Sequence, residues 1–224
     1  MPDWINERDA SEAMGVKNDR EQQGRDLCQE VRETTPSYTS DRIYTYEDYL
    51  KLPDEELYHY EILDGMLIRE PAPTTLHQRV SRRIQRLLED YFWETDPGAE
   101  VFNAPIDLTL SDTNVVQPDL VYVPSNSHIV EEKRINGIPQ LVVEVISPST
   151  KSKDRIEKAD IYRRLGVPHY WIVDPVEQTI EALRLTCVGD YDIISSAEGS
   201  GVFTHPDYPG LAIGLESLWG KRPL

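Results

Sequence analysis

Leu141-Val142-Val143-Glu144-Val145-Ile146 is the stretch on which the fold turns. A short run of β-branched and aliphatic residues reads as a strand buried on both faces, as strands inside an α/β sheet are. A carboxylate sits in the middle of it. Burying an unpaired charge costs on the order of several kcal/mol, so Glu144 must be protonated, paired or bound to a cation. Upstream, Gln117-Pro118-Asp119-Leu120-Val121-Tyr122-Val123 puts a second carboxylate at the mouth of another apolar strand. Two acids on neighbouring strands point to a metal site.

Working outward, Ser147-Pro148-Ser149-Thr150 leads into a helix expected from about Ser152 to Leu165, stopped by Gly166 as a left-handed cap with Pro168 just beyond. His169 to Asp174 is the next strand, joined across Asp174-Pro175 to another from Thr179 to Leu185. Strand, helix, strand is a crossover unit. On the other side, Ile106, Leu108 and Leu110 alternate with polar residues, Ser111-Asp112-Thr113-Asn114 reverses the chain, and Val115 to Val123 is expected to return as the partner strand. Tyr60 to Ile68 is two apolar runs round Asp64-Gly65, a hairpin. From Leu76 to Trp93, Val80, Ile84, Leu87, Leu88, Tyr91 and Phe92 recur at helical spacing, with Arg79, Arg82, Arg83 and Arg86 mostly off that stripe. Thr45 and Asp48 have the spacing of a capping box for a short helix through Leu50. Strands near Tyr191 to Ser195 and Leu211 to Leu215 are expected to complete the sheet. The fold class is α/β: a central mixed sheet with the crossover at its centre, flanked by helices, with additional antiparallel hairpins. Residues 1–40 are polar without steady periodicity and read as a disordered or loosely helical acidic tail, leaving 41–224 as the domain.

Composition bounds the function. With 23 basic against 40 acidic residues the formal charge is −17, which excludes a protein that coats nucleic acid through Lys and Arg but leaves room for a nuclease with a local basic patch. No transmembrane run appears, and the start of the chain lacks the basic and apolar parts of a secretory signal. Cys28 and Cys187 are far apart and are expected to be reduced thiols in a cytoplasmic setting. No paired cysteines and histidines have zinc spacing, no G-x-S-x-G elbow occurs, and Glu198-Gly199-Ser200-Gly201 lacks the lysine of a phosphate-cradling loop.

A hard divalent cation, Mg²⁺ or Mn²⁺, takes oxygen ligands and is commonly held by one or two carboxylates. Asp119 and Glu144 meet that demand, with the backbone carbonyl of Ile146 as a further ligand by its offset along the strand. A nearby ammonium would orient water and neutralise charge on phosphorus. Lys151, Lys153 and Lys158 are the candidates; Lys158 is preferred because it shares a helix face with Asp154 and Tyr162, whereas Lys151 and Lys153 have solvation as their default. Plainer readings exist for each: Glu144 in a structural ion pair, Asp119 capping a turn, the arginine face merely solvated, and Tyr162, Tyr170 and Trp171 as core or interface aromatics.

Several motifs in order resemble the Uma-two family: Tyr60-Glu61-Ile62-Leu63-Asp64-Gly65, His77 opening a helix, Gln117-Pro118-Asp119-Leu120, Val143 to Thr150, Glu157-Lys158 with Tyr162, Gly166-Val167, and Tyr170 to Pro175. That family belongs to the restriction-endonuclease-like PD-(D/E)XK superfamily, and the resemblance runs from about Tyr44 to the C-terminus. It implies an endonuclease hydrolysing DNA phosphodiester bonds, with Asp119 and Glu144 as metal ligands and Glu61 as the superfamily's occasional extra acid. His77 is a secondary site residue beside Tyr162, and Arg79, Arg82, Arg83 and Arg86 would contact DNA. The superfamily pattern wants lysine two residues after Glu144, where this chain has Ile146; Lys158, on the following helix, would take its place. Duplex cleavage by such folds commonly uses two sites, which implies a homodimer. The alternative is a catalytically inactive, dimeric binding or regulatory protein on the same fold.

Overall fold

The computed structural model describes residues 42–53, 58–147 and 153–220, so the expectations for residues 1–40, for Lys151 and for the start of the helix at Ser152 lie outside the described residues. Helix α1 (Tyr46–Tyr49) is as short as its capping pair foretold, and the Asp48 carboxylate accepts the Thr45 N–H at 3.2 Å. Strands β1 (Tyr58–Leu63) and β2 (Met66–Pro71) form the expected hairpin. Asp64 and Gly65 both have positive φ, 49° and 80°, the pair of left-handed residues that a two-residue turn matching the strand twist requires. Helix α2 (Thr75–Thr95) buries Val80, Ile84, Leu88 and Phe92, and Thr74 accepts the His77 N–H at its start.

The strands that follow are β3 (Glu100–Asn103), β4 (Asp107–Ser111), β5 (Asn114–Val116), β6 (Leu120–Val123), β7 (Arg134–Asn136) and β8 (Leu141–Val145). After the undescribed residues comes one π-helical turn, Lys153–Lys158, running directly into α3 (Ala159–Leu165), with Gly166 at φ 88° as the left-handed cap. Strands β9 (His169–Asp174), β10 (Thr179–Leu185), β11 (Tyr191–Glu198), β12 (Val202–His205) and β13 (Tyr208–Gly214) and helix α4 (Glu216–Trp219) finish the described chain.

These strands form two sheets and a separate hairpin. One sheet has the order β2-β1-β5-β4-β7, the other β11-β10-β9-β8-β6-β3, and among the described residues β12 pairs only with β13. The crossover joins β8 to β9 in parallel, with Glu144 opposite Ile172, as the sequence predicts. This is the mixed α/β architecture of a restriction-endonuclease-like domain, with two corrections. Val115 to Val123 is not one strand: β5 pairs with β1 and β4, while β6 pairs with β3 and β8 in the other sheet. Pro118 has no N–H for a ladder, and the Gln117 N–H is diverted to the Glu61 carboxylate at 2.9 Å, so the chain changes sheets there. Leu211 to Leu215 does not complete the main sheet either; its strand, β13, packs through Leu211 and Ile213 against the apolar cluster that holds Trp171 and Val173.

Alternation along β8 sets the two layers. Leu141, Val143 and Val145 join the cluster that contains the buried face of α2, and Val142 and Ile146 join the cluster of Ile161, Tyr162 and Tyr170. Glu144 shares the second face, so its side chain meets the helix that carries Lys158. Among the described residues, no helix is long and apolar enough to cross a membrane.

Candidate active site

Glu61 sits on β1 in the first sheet and Glu144 on β8 in the second; both are buried, and one lysine joins them. The Nζ of Lys158 lies 2.9 Å from Glu61 Oε1 and 3.0 Å from Glu144 Oε1, with Asp154 Oδ1 at 3.9 Å. The Tyr162 hydroxyl donates to Glu144 Oε1 at 2.9 Å, and the Tyr170 hydroxyl donates to the Asp154 carbonyl at 2.9 Å. The π-helical turn ends at Lys158, and such widened turns recur at functional sites.

Asp119, directly before β6, is held from two sides. Its Oδ2 accepts the Val145 N–H at 2.7 Å and lies 3.0 Å from His77 Nε2, so the first turn of α2 reaches across to orient it. Asp119, Glu144, Asp154 and Lys158 all line one cavity of about 1050 Å³, together with His77 and Lys153. Among the described residues, the contacts of Asp119 fall on Oδ2 and those of Glu144 on Oε1, so each carboxylate keeps its other oxygen outside them.

The charges are unequal to their partners. Burial pushes the Glu61 carboxyl up, but the Lys158 charge and hydrogen bond and the Gln117 N–H outweigh it and hold Glu61 below its ordinary value. For Glu144 burial wins: with Asp154, Asp119 and Glu61 adding negative charge, its pKa stands well above the usual range in spite of Lys158. Burial would strip the proton from Lys158, yet Glu144 and Glu61 hold its pKa well above that of a free lysine. His77 loses to burial and gains more from Asp119, so it is raised. A charged lysine therefore serves Glu61 fully, and Glu144 remains a carboxyl that favours a proton or a second cation.

The structure thus brings Asp119, Glu144, Lys158, Glu61, His77 and Tyr162 together, and leaves others apart. Ile146 packs its side chain in the apolar layer and gives its N–H to the Val173 carbonyl; Val145 and Ser147, rather than Ile146, line the cavity. Arg79, Arg82, Arg83 and Arg86 line a different cavity beside Trp219, where Arg83 Nη1 donates to the Leu218 carbonyl at 2.5 Å and Arg86 lies 3.6 Å from Asp90. Lys153 is not solvated: it pairs with Glu70 at the cavity wall, and burial lowers its pKa. His59 and Glu70 also line the cavity and went unread in the sequence. The signal was there. The Asp64-Gly65 turn fixes a register that places His59 opposite Glu70, and His59 lies two residues from Glu61 on the same face of β1.

The model of the family Uma2, described as "Putative restriction endonuclease", matches residues 46–216. A crystal structure titled as that of "a putative nuclease belonging to DUF820" from Anabaena variabilis ATCC 29413 is similar in fold, with a TM-score of 0.63 at 20% identity, covering 78% of this chain and 97% of that one. No curated protein matches the chain.

Proposed function

This chain belongs to the Uma2 family, and from that premise we propose that it is a divalent-metal-dependent endonuclease acting on DNA, with Asp119 and Glu144 as the metal ligands. The observation that carries this reading is the convergence of Asp119, Glu144 and Lys158 on one cavity, with one oxygen of each carboxylate outside the contacts made among the described residues. The residues fit a hard cation. Both available donors are carboxylate oxygens, and the Glu144 carboxyl sits in a surplus of negative charge that a cation would relieve. Bound there, Mg²⁺ or Mn²⁺ would supply Lewis acidity and activate water for attack on phosphorus.

The chain's own residues do the positioning. His77 and the Val145 N–H fix Asp119 by one oxygen and present the other. Tyr162 and Lys158 do the same for Glu144, and Lys158 would serve in place of a lysine at position 146, its charge reaching Glu144 from the helix. Glu61, fully buried, holds the ammonium in that place. Helix α2 runs from His77 at the cavity to Arg86, about 14 Å further on at the helical rise per residue; its arginines line a separate cavity, and a DNA backbone reaching them would have to extend that far from the site.

A second reading, a binding protein without catalysis, draws on the Lys158 Nζ being engaged by two carboxylates. One experiment separates them. Cleavage of plasmid DNA in Mg²⁺ or Mn²⁺ is expected from the wild type and is expected to fall at least about a hundred-fold in Asp119→Asn and in Glu144→Gln. Equal cleavage by wild type and variants would sink the site, and metal binding without cleavage would favour the second reading.

A further inference from the structure

On the face of β9 away from Glu144, two buried histidines and an aspartate stand together, and none of them lines the carboxylate cavity. His169 opens β9, His205 ends β12, and Asp207 lies in the turn before β13. His169 and His205 are 5% and 3% exposed, and their rings pack edge to face with centroids 5.0 Å apart. One ring nitrogen from each and one Asp207 carboxylate oxygen lie within 4.8 Å of one another.

A second observation gives this cluster its meaning. Among the described residues, His169 Nδ1 and His205 Nε2 are buried and have no hydrogen-bond partner. Buried polar atoms are nearly always satisfied, so the orphaned His205 Nε2 asks for a partner, while on His169 it is Nε2, not the orphaned Nδ1, that lies nearest Asp207. Asp207 Oδ2 lies 3.9 Å from His169 Nε2, too far for a hydrogen bond and near enough for a common ligand. Arg184 Nη1 reaches Asp207 Oδ1 at 3.1 Å and Oδ2 at 3.2 Å, and carboxylates that bind metal are ordinarily braced by such a second contact.

We propose that His169, His205 and Asp207 form a site for a borderline transition-metal ion such as Zn²⁺, fastening the β12–β13 hairpin to the main sheet. Two imidazoles and one carboxylate suit zinc and disfavour Mg²⁺, which wants oxygen donors. This sets the site apart from the carboxylates of the cavity. Among the described residues the hairpin pairs with no strand of either sheet, so the metal bonds would add to the packing of Phe203, Leu211 and Ile213 and to the Ser195 hydroxyl's hydrogen bond to the Thr204 carbonyl. The only hydrogen bond of His205 among the described residues is a long one, the Asp207 N–H to Nδ1 at 3.2 Å. Coordination through Nε2 moves the neutral ring's proton to Nδ1 and gives up that contact; no net proton is released.

The test uses the untagged, chelator-stripped full chain carrying Glu144→Gln, which removes one of the two proposed metal ligands of the cavity. Calorimetric titration with Zn²⁺ is expected to show one ion bound. Adding Asp207→Asn, at an exposed position that leaves the core intact, or His205→Gln is expected to weaken it at least about ten-fold. With Zn²⁺ at a hundred-fold excess over its dissociation constant, the melting temperature should rise by about 5–10 °C, and the rise should vanish with Asp207→Asn. Co²⁺ in place of Zn²⁺ should give visible absorption without a thiolate charge-transfer band, which excludes binding through Cys187. Absence of Zn²⁺ binding in the Glu144→Gln chain, equal affinity with and without Asp207→Asn, or a thiolate band would each overturn the proposal.

Discussion

Both faces of β8 are closed to solvent, and they are held by different forces. Toward α2, Leu141, Val143 and Val145 pack into an apolar layer with Val80, Ile84 and Leu88. Toward α3, Val142 and Ile146 flank Glu144, which stays buried only because Lys158 and Tyr162 come down from the helix and Glu61 shares the lysine from the other sheet. The apolar face loses little if one neighbour shifts, because dispersion and burial are spread over many contacts. The polar face concentrates its stability in one ammonium, since removing one partner of a buried ion pair leaves the other uncompensated. The same concentration leaves Glu144 ready for a cation. The proposed function and the fragility fall on one side of the strand.

Breaking the polar face should have the largest effect. Lys158→Met leaves Glu61 and Glu144 buried without their cation and is expected to cost about 3–5 kcal/mol in urea unfolding. Its pH dependence follows from Glu144. The Glu144 carboxyl is already above its ordinary pKa through burial, and the variant removes the charge opposing that shift. A group with a raised folded pKa binds more protons folded than unfolded, so stability is kept below the unfolded pKa and lost as pH rises through the folded one. The deficit of Lys158→Met should therefore shrink toward acid pH and grow toward neutral pH; a deficit independent of pH would count against the charge argument.

On the apolar face, Val143→Ala is expected to cost roughly 2 kcal/mol, from lost burial plus a small cavity, with no change in metal binding per folded molecule. A change in metal affinity there would blur the contrast between the faces. Tyr162→Phe sharpens it most finely. That variant removes one hydrogen bond to Glu144 and keeps the ring in the core, so the expected loss is about 1–2 kcal/mol, read by the same unfolding measurement. A cost near zero would mean that Lys158 alone holds the carboxylate.

Much of this was legible in the residues. The anomaly of Glu144 in an apolar run, the paired Asp119, the helix stripe placing Lys158 and Tyr162 on one face, and the Asp64-Gly65 turn are local patterns, and local patterns follow the periods of helix and strand. His77 is legible only as a secondary site residue opening a helix; that it holds Asp119 is not, because that contact joins the start of α2 to the residue before β6. The division of Val115 to Val123 between two sheets was also hidden. An apolar run interrupted by Gln117-Pro118-Asp119 looks the same whether its halves pair with one sheet or two, and β3, which pairs with the second half, is only four residues long.

By itself the sequence determined most of the elements, the crossover, and Glu144 as a buried carboxylate whose cost had to be met, because these depend on side-chain period and on the energy of burying charge. Only the tertiary structure decided who meets that cost. Glu61 and Lys158 are 97 positions apart, and β1 and β8 lie in different sheets. Their meeting depends on where the chain leaves one sheet for the other at Pro118, which strand propensity does not encode. The gathering of His169, His205 and Asp207 on the far face of β9 is of the same kind: its residues become one cluster only when the β12–β13 hairpin folds back onto the sheet.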